Sequence, residues 1–253
     1  MTITDVAPTR KRSAAADRVP MTSLRKTALV AGVFYLLTFV SIPTLVLYQG
    51  IHEANFILGT GSDSPVLLGG VLELIVGLAG IGTAAALYPV VKRQNEGFAM
   101  GFVASRTLEA AGLFIGVACL LTVVSLRQSG AGADAMVTSQ ALVAMYDKVF
   151  LVSGSLIPAV NGVLLGTLLY WSRLVPRALP LLGFVGATLL TVSFLATMFG
   201  VVDRVSPLTG LFAAPIAVWE FSLGVYLVVK GFRPSPVTAD IANVTRLADH
   251  ANA

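Results

Sequence analysis

Six apolar runs, at residues 27–48, 65–91, 98–126, 148–171, 178–202 and 208–229, set the terms for this chain. Each meets the roughly 20-residue length that carries a helix across the hydrocarbon of a bilayer. Lipid offers no hydrogen bonds to a backbone, so a chain of such runs crosses as helices that bond themselves. Composition agrees, because only 12% of the 253 residues are charged, against about 25% in a soluble domain. The expected fold is all-α, a bundle of six transmembrane helices in one domain over residues 24–233. A basic tail at 1–23 and a polar tail at 234–253 flank it, both poor in large apolar side chains and read as disordered.

The first run is too long for a signal peptide, whose apolar stretch has about 7–15 residues. Nor does the segment from Pro43 to Tyr48 offer a small-residue cleavage site, so the run reads as an uncleaved span. Arg25, Lys26, Lys92, Arg93, Arg173, Arg177, Lys230 and Arg233 gather on one side of the bundle, against Arg127, Lys148 and Arg204 on the other. The basic excess marks the cytoplasmic side, which places both termini there and the protein in the plasma membrane. This distribution also accounts for the net charge of +4 without nucleic acid as a partner; the partner implied is the lipid bilayer. Tyr48 and Tyr146 on one side, with Tyr88, Tyr170 and Trp171 on the other, fit interfacial aromatic belts.

Residues 127–146 form the longest internal loop, where Val137, Ala141, Leu142 and Met145 recur at helical spacing. A short helix lying on the membrane surface is expected there. Pro43, Pro158 and Pro215 are expected to bend their helices. The second, fourth and sixth runs share a glycine, a tyrosine and a following base: Gly82, Tyr88 and Lys92; Gly166, Tyr170 and Arg173; Gly224, Tyr226 and Lys230. Each also has a polar residue upstream, Glu73, Asn161 or Glu220, a pattern that fits three hairpin repeats about an axis along the membrane normal.

Four ionisable side chains fall inside the spans: Glu73, Arg106, Glu109 and Glu220. Each charge at the helix centre costs roughly 2.5–3.5 kcal/mol on insertion scales, so these groups must face protein or water. Arg106 and Glu109 are three apart and share a helix face, although an Arg106 nearer the surface would snorkel instead. Three carboxylates against one guanidinium leave excess negative charge, and Glu220, near the middle of its run, is the first candidate for a neutral acid. Asn161, one turn after Pro158, is expected at a kink as a hydrogen-bonding residue.

No catalytic, metal or cofactor-binding residues emerge. A Ser–His or bis-histidine haem site needs an intramembrane histidine, and His52 and His250 both lie outside the runs. His52-Glu53 lacks the second histidine of a zinc-protease motif, and His52 reads as a solvated loop residue. Asp147 and Asp203 sit at span edges, unsuited to paired intramembrane chemistry, and the single Cys119 excludes a disulfide framework.

Four stretches carry a resemblance. They are Arg25-Lys-Thr-Ala-Leu-Val-Ala-Gly-Val-Phe-Tyr-Leu, Ala86-Leu-Tyr-Pro-Val-Val-Lys-Arg-Gln-Asn-Glu-Gly, Gly166-Thr-Leu-Leu-Tyr-Trp-Ser-Arg-Leu-Val-Pro-Arg and Trp219-Glu-Phe-Ser-Leu-Gly-Val-Tyr-Leu-Val-Val-Lys-Gly-Phe. In this order they resemble an uncharacterised bacterial membrane family, domain of unknown function 4386, across about residues 24–232. The resemblance implies six membrane helices in a bacterial plasma membrane and brings no activity or site residues with it. Two functions then compete. One is a small proton- or cation-linked carrier using Glu73, Glu109 and Glu220 with Arg106 as counter-charge. The other is a non-transporting membrane partner or sensor whose buried polar residues are structural.

Overall fold

The computed structural model describes residues 22–239. The basic tail at 1–21 and the last residues, 240–253, lie outside the described residues. The described chain is helical, with six helices long and apolar enough to cross a membrane. In chain order the elements are α1 (Ser23–Leu37), a 3₁₀ turn at Thr38–Ser41, α2 (Thr44–Leu47), α3 (Ser64–Val91), α4 (Glu96–Gln128), α5 (Met136–Leu151), a π segment at Val152–Leu156, α6 (Ile157–Ser172), α7 (Ala178–Met198) and α8 (Pro207–Val229). The helix starts follow local chemistry. Thr22, Asn95 and Ser206 each accept a backbone N–H three residues on, satisfying donors that the first turn leaves open. Pro207 opens α8 at a position where its missing N–H costs nothing.

The bundle has two ends. At the terminal face, Arg25 donates to the Leu227 and Val228 carbonyls, so the start of α1 clasps the end of α8. Residues 234–239, expected to leave as part of a polar tail, instead dock there. Ser235 donates to the Ser172 carbonyl at 2.5 Å, and the Arg233 N–H donates to Leu174 at 2.8 Å. At the opposite, distal face, Arg127 at the end of α4 gathers Asp63 and the carbonyls of Gly59 and Gly61.

Packing at the terminal end centres on Tyr35, Leu87, Phe102, Leu165, Leu169, Trp219 and Leu223. A second cluster at the distal end includes Tyr48, Val66, Cys119, Leu120, Val123 and Tyr146. Helices approach closely where side chains are absent. A Cβ on Gly186 would stand 2.5 Å from the Ile216 backbone, and one on Gly32 would stand 2.7 Å from the Gly224 carbonyl, the small-residue packing of membrane bundles. Outward-facing residues such as Val71, Leu78, Leu108, Ile115 and Leu211 are large, apolar and exposed. An apolar surface of that extent belongs in lipid.

Two of the spans lose α geometry part-way along, and α8 carries a proline without losing it. The first span loses α geometry at Thr38, five residues before Pro43. Pro43 has no N–H and its ring clashes with the carbonyl four residues back. In addition, the Thr38 and Thr44 hydroxyls donate to carbonyls three residues earlier, Tyr35 and Ser41, at 2.7 Å each, and such bonds compete with the helix ladder. The fourth span widens into a π segment just before Pro158, which cannot donate to Gly154. Pro215 lies inside α8.

The segment expected as a surface helix behaves differently. Residues 136–151 are helical, but α5 runs on through the π segment into α6, so Gly132–Ser172 forms one 41-residue unit, roughly 60 Å long. Its buried face is not the one that the apolar spacing marked. Val137 is 78% exposed and Tyr146 only 3%, because Ser139, Val143 and Tyr146 turn inward and the Tyr146 hydroxyl finds a partner in the bundle.

Candidate functional site

The polar residues of the spans meet between the two apolar clusters. Arg106, on α4, is 2% exposed. One guanidinium nitrogen donates to Glu109 at 3.0 Å, and another donates to Glu220 of α8 at 2.5 Å. Tyr35 of α1 accepts a longer bond of 3.4 Å, and its ring lies 5.4 Å from the guanidinium carbon. Asn161 of α6 completes the set by donating to Glu109 at 2.6 Å. Four spans thus share one charge cluster. Arg106 does not snorkel. Glu109 lies one turn further along α4, away from the terminal face, and the guanidinium reaches inward to it.

Glu73 stands apart. It lies on α3, 1% exposed, and accepts the Tyr146 hydroxyl at 2.7 Å. Its other oxygen has no partner, nor has the buried hydroxyl of Tyr48. The expected set therefore splits: Arg106, Glu109, Asn161 and Glu220 are bonded together, and Glu73 is not bonded to them. Glu220, expected to be the neutral acid, is instead an ion-pair partner of Arg106. Of the three carboxyl groups inside the spans, Glu73 is the one with no ion pair among the described residues. The apolar runs marked these groups as facing protein or water but carried no signal for which carboxylate the guanidinium would reach.

Both groups face one cavity of about 250 Å³, whose wall includes Thr38, Ser41, Glu73, Arg106, Glu109, Gly154, Pro158 and Glu220. The interruptions of the first and fourth spans border it, at Thr38–Ser41 and at Gly154. Irregular backbone at membrane depth survives where it is buried in protein or lines a polar cavity, and here it lines one. The chemistry on offer is exchange of a proton or small cation among carboxylates beside a fixed positive charge. Among the described residues, no three His, Cys, Asp or Glu side chains come together as a metal-holding group.

A second cluster forms at the distal face, and the sequence reading passed over it. His52 is not a free loop side chain. One ring nitrogen donates to the Tyr48 carbonyl at 2.7 Å, and the other lies 3.0 Å from Asp147. Both neighbours accept, so both nitrogens carry protons when both bonds are made. The bond to Asp147 raises the His52 pKa above its ordinary value, with burial opposing it. Arg204, between α7 and α8, donates to the same Asp147 oxygen at 2.6 Å. The available signal was that His52, Asp147 and Arg204 all flank apolar runs on one side. Beneath them lies a vestibule of about 330 Å³ walled by Tyr48, Tyr146 and Phe150. Phe150 also lines the central cavity.

A family model matches residues 30–231 of the chain. The chain belongs to the DUF4386 family, a domain of unknown function. This DUF4386 protein is a multi-pass helical membrane protein. No curated protein matches it, and no solved structure does.

Proposed function

We infer that this DUF4386 protein is a small carrier that moves a proton or small cation, with Glu73, Glu109 and Glu220 as exchanging carboxylates and Arg106 as their fixed counter-charge. The observation that carries this reading is the central cavity, where three carboxylates and one guanidinium face a common space at interrupted helices. Interrupted helices around a midplane polar site are how many membrane carriers are built. The asymmetry of Lys and Arg supports a bacterial plasma membrane with both termini in the cytoplasm. The juxtamembrane placement of these bases accounts for the positive charge without nucleic acid as a partner. The bilayer is then the partner, together with the cation carried.

A rival reading, a non-transporting partner or sensor, draws on the completeness of the Arg106 cluster, which ties four spans whether or not anything moves. Purified protein in liposomes with a trapped pH indicator separates the two. Glu220→Gln leaves Arg106 balanced by Glu109, so the bundle should hold. The carrier reading expects wild type to dissipate an imposed pH gradient and the variant to do so about tenfold more slowly or worse. Equal rates in folded wild type and variant would favour the lock.

A further inference from the structure

Arg204 is held differently from Arg106. It lies in the helix-free stretch between α7 and α8 and reaches back over the vestibule. Its guanidinium carbon is 5.5 Å from the centre of the Phe150 ring and 5.8 Å from that of Tyr146. Asp147 is its side-chain hydrogen-bond partner, through an oxygen that also faces His52. Two aromatic rings and a carboxylate are the surroundings that hold organic cations.

Below Arg204, the vestibule of about 330 Å³ is in the range that takes a small organic molecule. Tyr48, 4% exposed, is part of its wall. Glu73 faces the central cavity instead and is joined to the vestibule wall through the Tyr146 hydroxyl. A bare metal cation in such a place would want about six or more oxygen ligands, whereas an ammonium group needs one carboxylate and ring faces. Phe150 alone is common to the walls of the vestibule and the central cavity.

We propose that the distal vestibule is a loading site for a small organic ammonium ion, and that Arg204 is its gate, a tethered guanidinium occupying the cation position until the cargo displaces it. The proposal rests on the carrier reading for what lies beyond Phe150, and it names that carrier's cargo class and the face from which it loads. The cargo ammonium takes the place of Arg204 between Tyr146 and Phe150, then passes Phe150 into the central cavity, where Glu73 stands.

The test uses the full chain in nanodiscs with Cys119→Ala and one new cysteine, either Leu45→Cys in the vestibule or Ala217→Cys in the central cavity. The probe is a permanently charged trimethylammonium methanethiosulfonate, which lipid excludes. Adding Arg204→Gln should speed labelling at Ala217→Cys about tenfold, while Arg204→Lys, which keeps the charge but loses the planar stack, should speed it about threefold. Tetramethylammonium chloride should slow labelling at Leu45→Cys, and sodium chloride at equal strength should not. Unchanged labelling at Ala217→Cys in both Arg204 variants, or equal slowing by the two salts, would overturn the proposal. Should one Arg204 variant not fold, the other decides. Faster labelling in a protein that carries no flux would leave the gate standing and remove the carrier. Flux with unchanged labelling would do the reverse.

Discussion

Two charge clusters occupy this bundle, and they are built on opposite plans. The Arg106 cluster lies inside four helices, with its guanidinium 2% exposed and shared between two carboxylates. The His52–Asp147–Arg204 cluster joins two interhelical segments to α5, with side chains 22–31% exposed and one carboxylate shared between two cations. Removing one partner of a buried pair leaves a stranded charge and costs roughly 3–5 kcal/mol, whereas an exposed pair is worth about 0–1 kcal/mol. Breaking a pair in the first cluster therefore costs far more than breaking one in the second. The second can open on thermal energy. A lock and a latch follow from burial alone, before any function is assigned.

The largest expected effect is on the lock. Arg106→Leu strands Glu109 and Glu220 together and should destabilise the bundle by roughly 3–5 kcal/mol, read as a lower unfolding temperature in detergent or as failure to insert. A stable Arg106→Leu protein would break the contrast. Next comes Asn161→Ala, which deletes the 2.6 Å bond to Glu109. A hydrogen bond to a charged group contributes about 1.5–3 kcal/mol, and thermal unfolding should show that loss. Tyr146→Phe removes the 2.7 Å donor to Glu73 and leaves a buried acceptor poorly satisfied, at up to about 1–3 kcal/mol. That loss should vanish in a Glu73→Leu background, where no acceptor remains.

The smallest effect is on the latch and depends on pH. The folded pKa of His52 is raised by Asp147, so its contribution is fully present below the free imidazole value of about 6.5. It is lost as pH rises through the folded value. His52→Ala should therefore lower the unfolding temperature at pH 5 by an amount equivalent to under about 1 kcal/mol, and the gap should close at high pH. A gap that grows with pH would contradict the assignment.

These regions also differ in how far the sequence disclosed them. The spans were legible because hydrophobic length is a local property, and so was the burial of Glu73, Arg106, Glu109 and Glu220. Pairing was not legible. Arg106 and Glu220 are 114 residues apart, and only the assembly of the whole bundle decides that Glu220 is an ion-pair partner. The break in the first span was marked by Pro43 but begins at Thr38, where hydroxyl back-bonds act first. The course of α5 was hidden because its apolar spacing marks one face while Tyr146 turns another face inward toward Glu73. His52 looked solvated because its side-chain partner, Asp147, lies 95 residues away.

The most direct test of the carrier reading is proton flux through Glu73→Gln in liposomes. The amide keeps an acceptor for the Tyr146 hydroxyl, so the unfolding temperature should stay close to wild type. A cavity that exchanges cations at Glu73 predicts that dissipation of a pH gradient falls at least about tenfold in this folded variant. Undiminished flux in Glu73→Gln, or none in wild type, would contradict the account and leave the buried charges as bonds between helices.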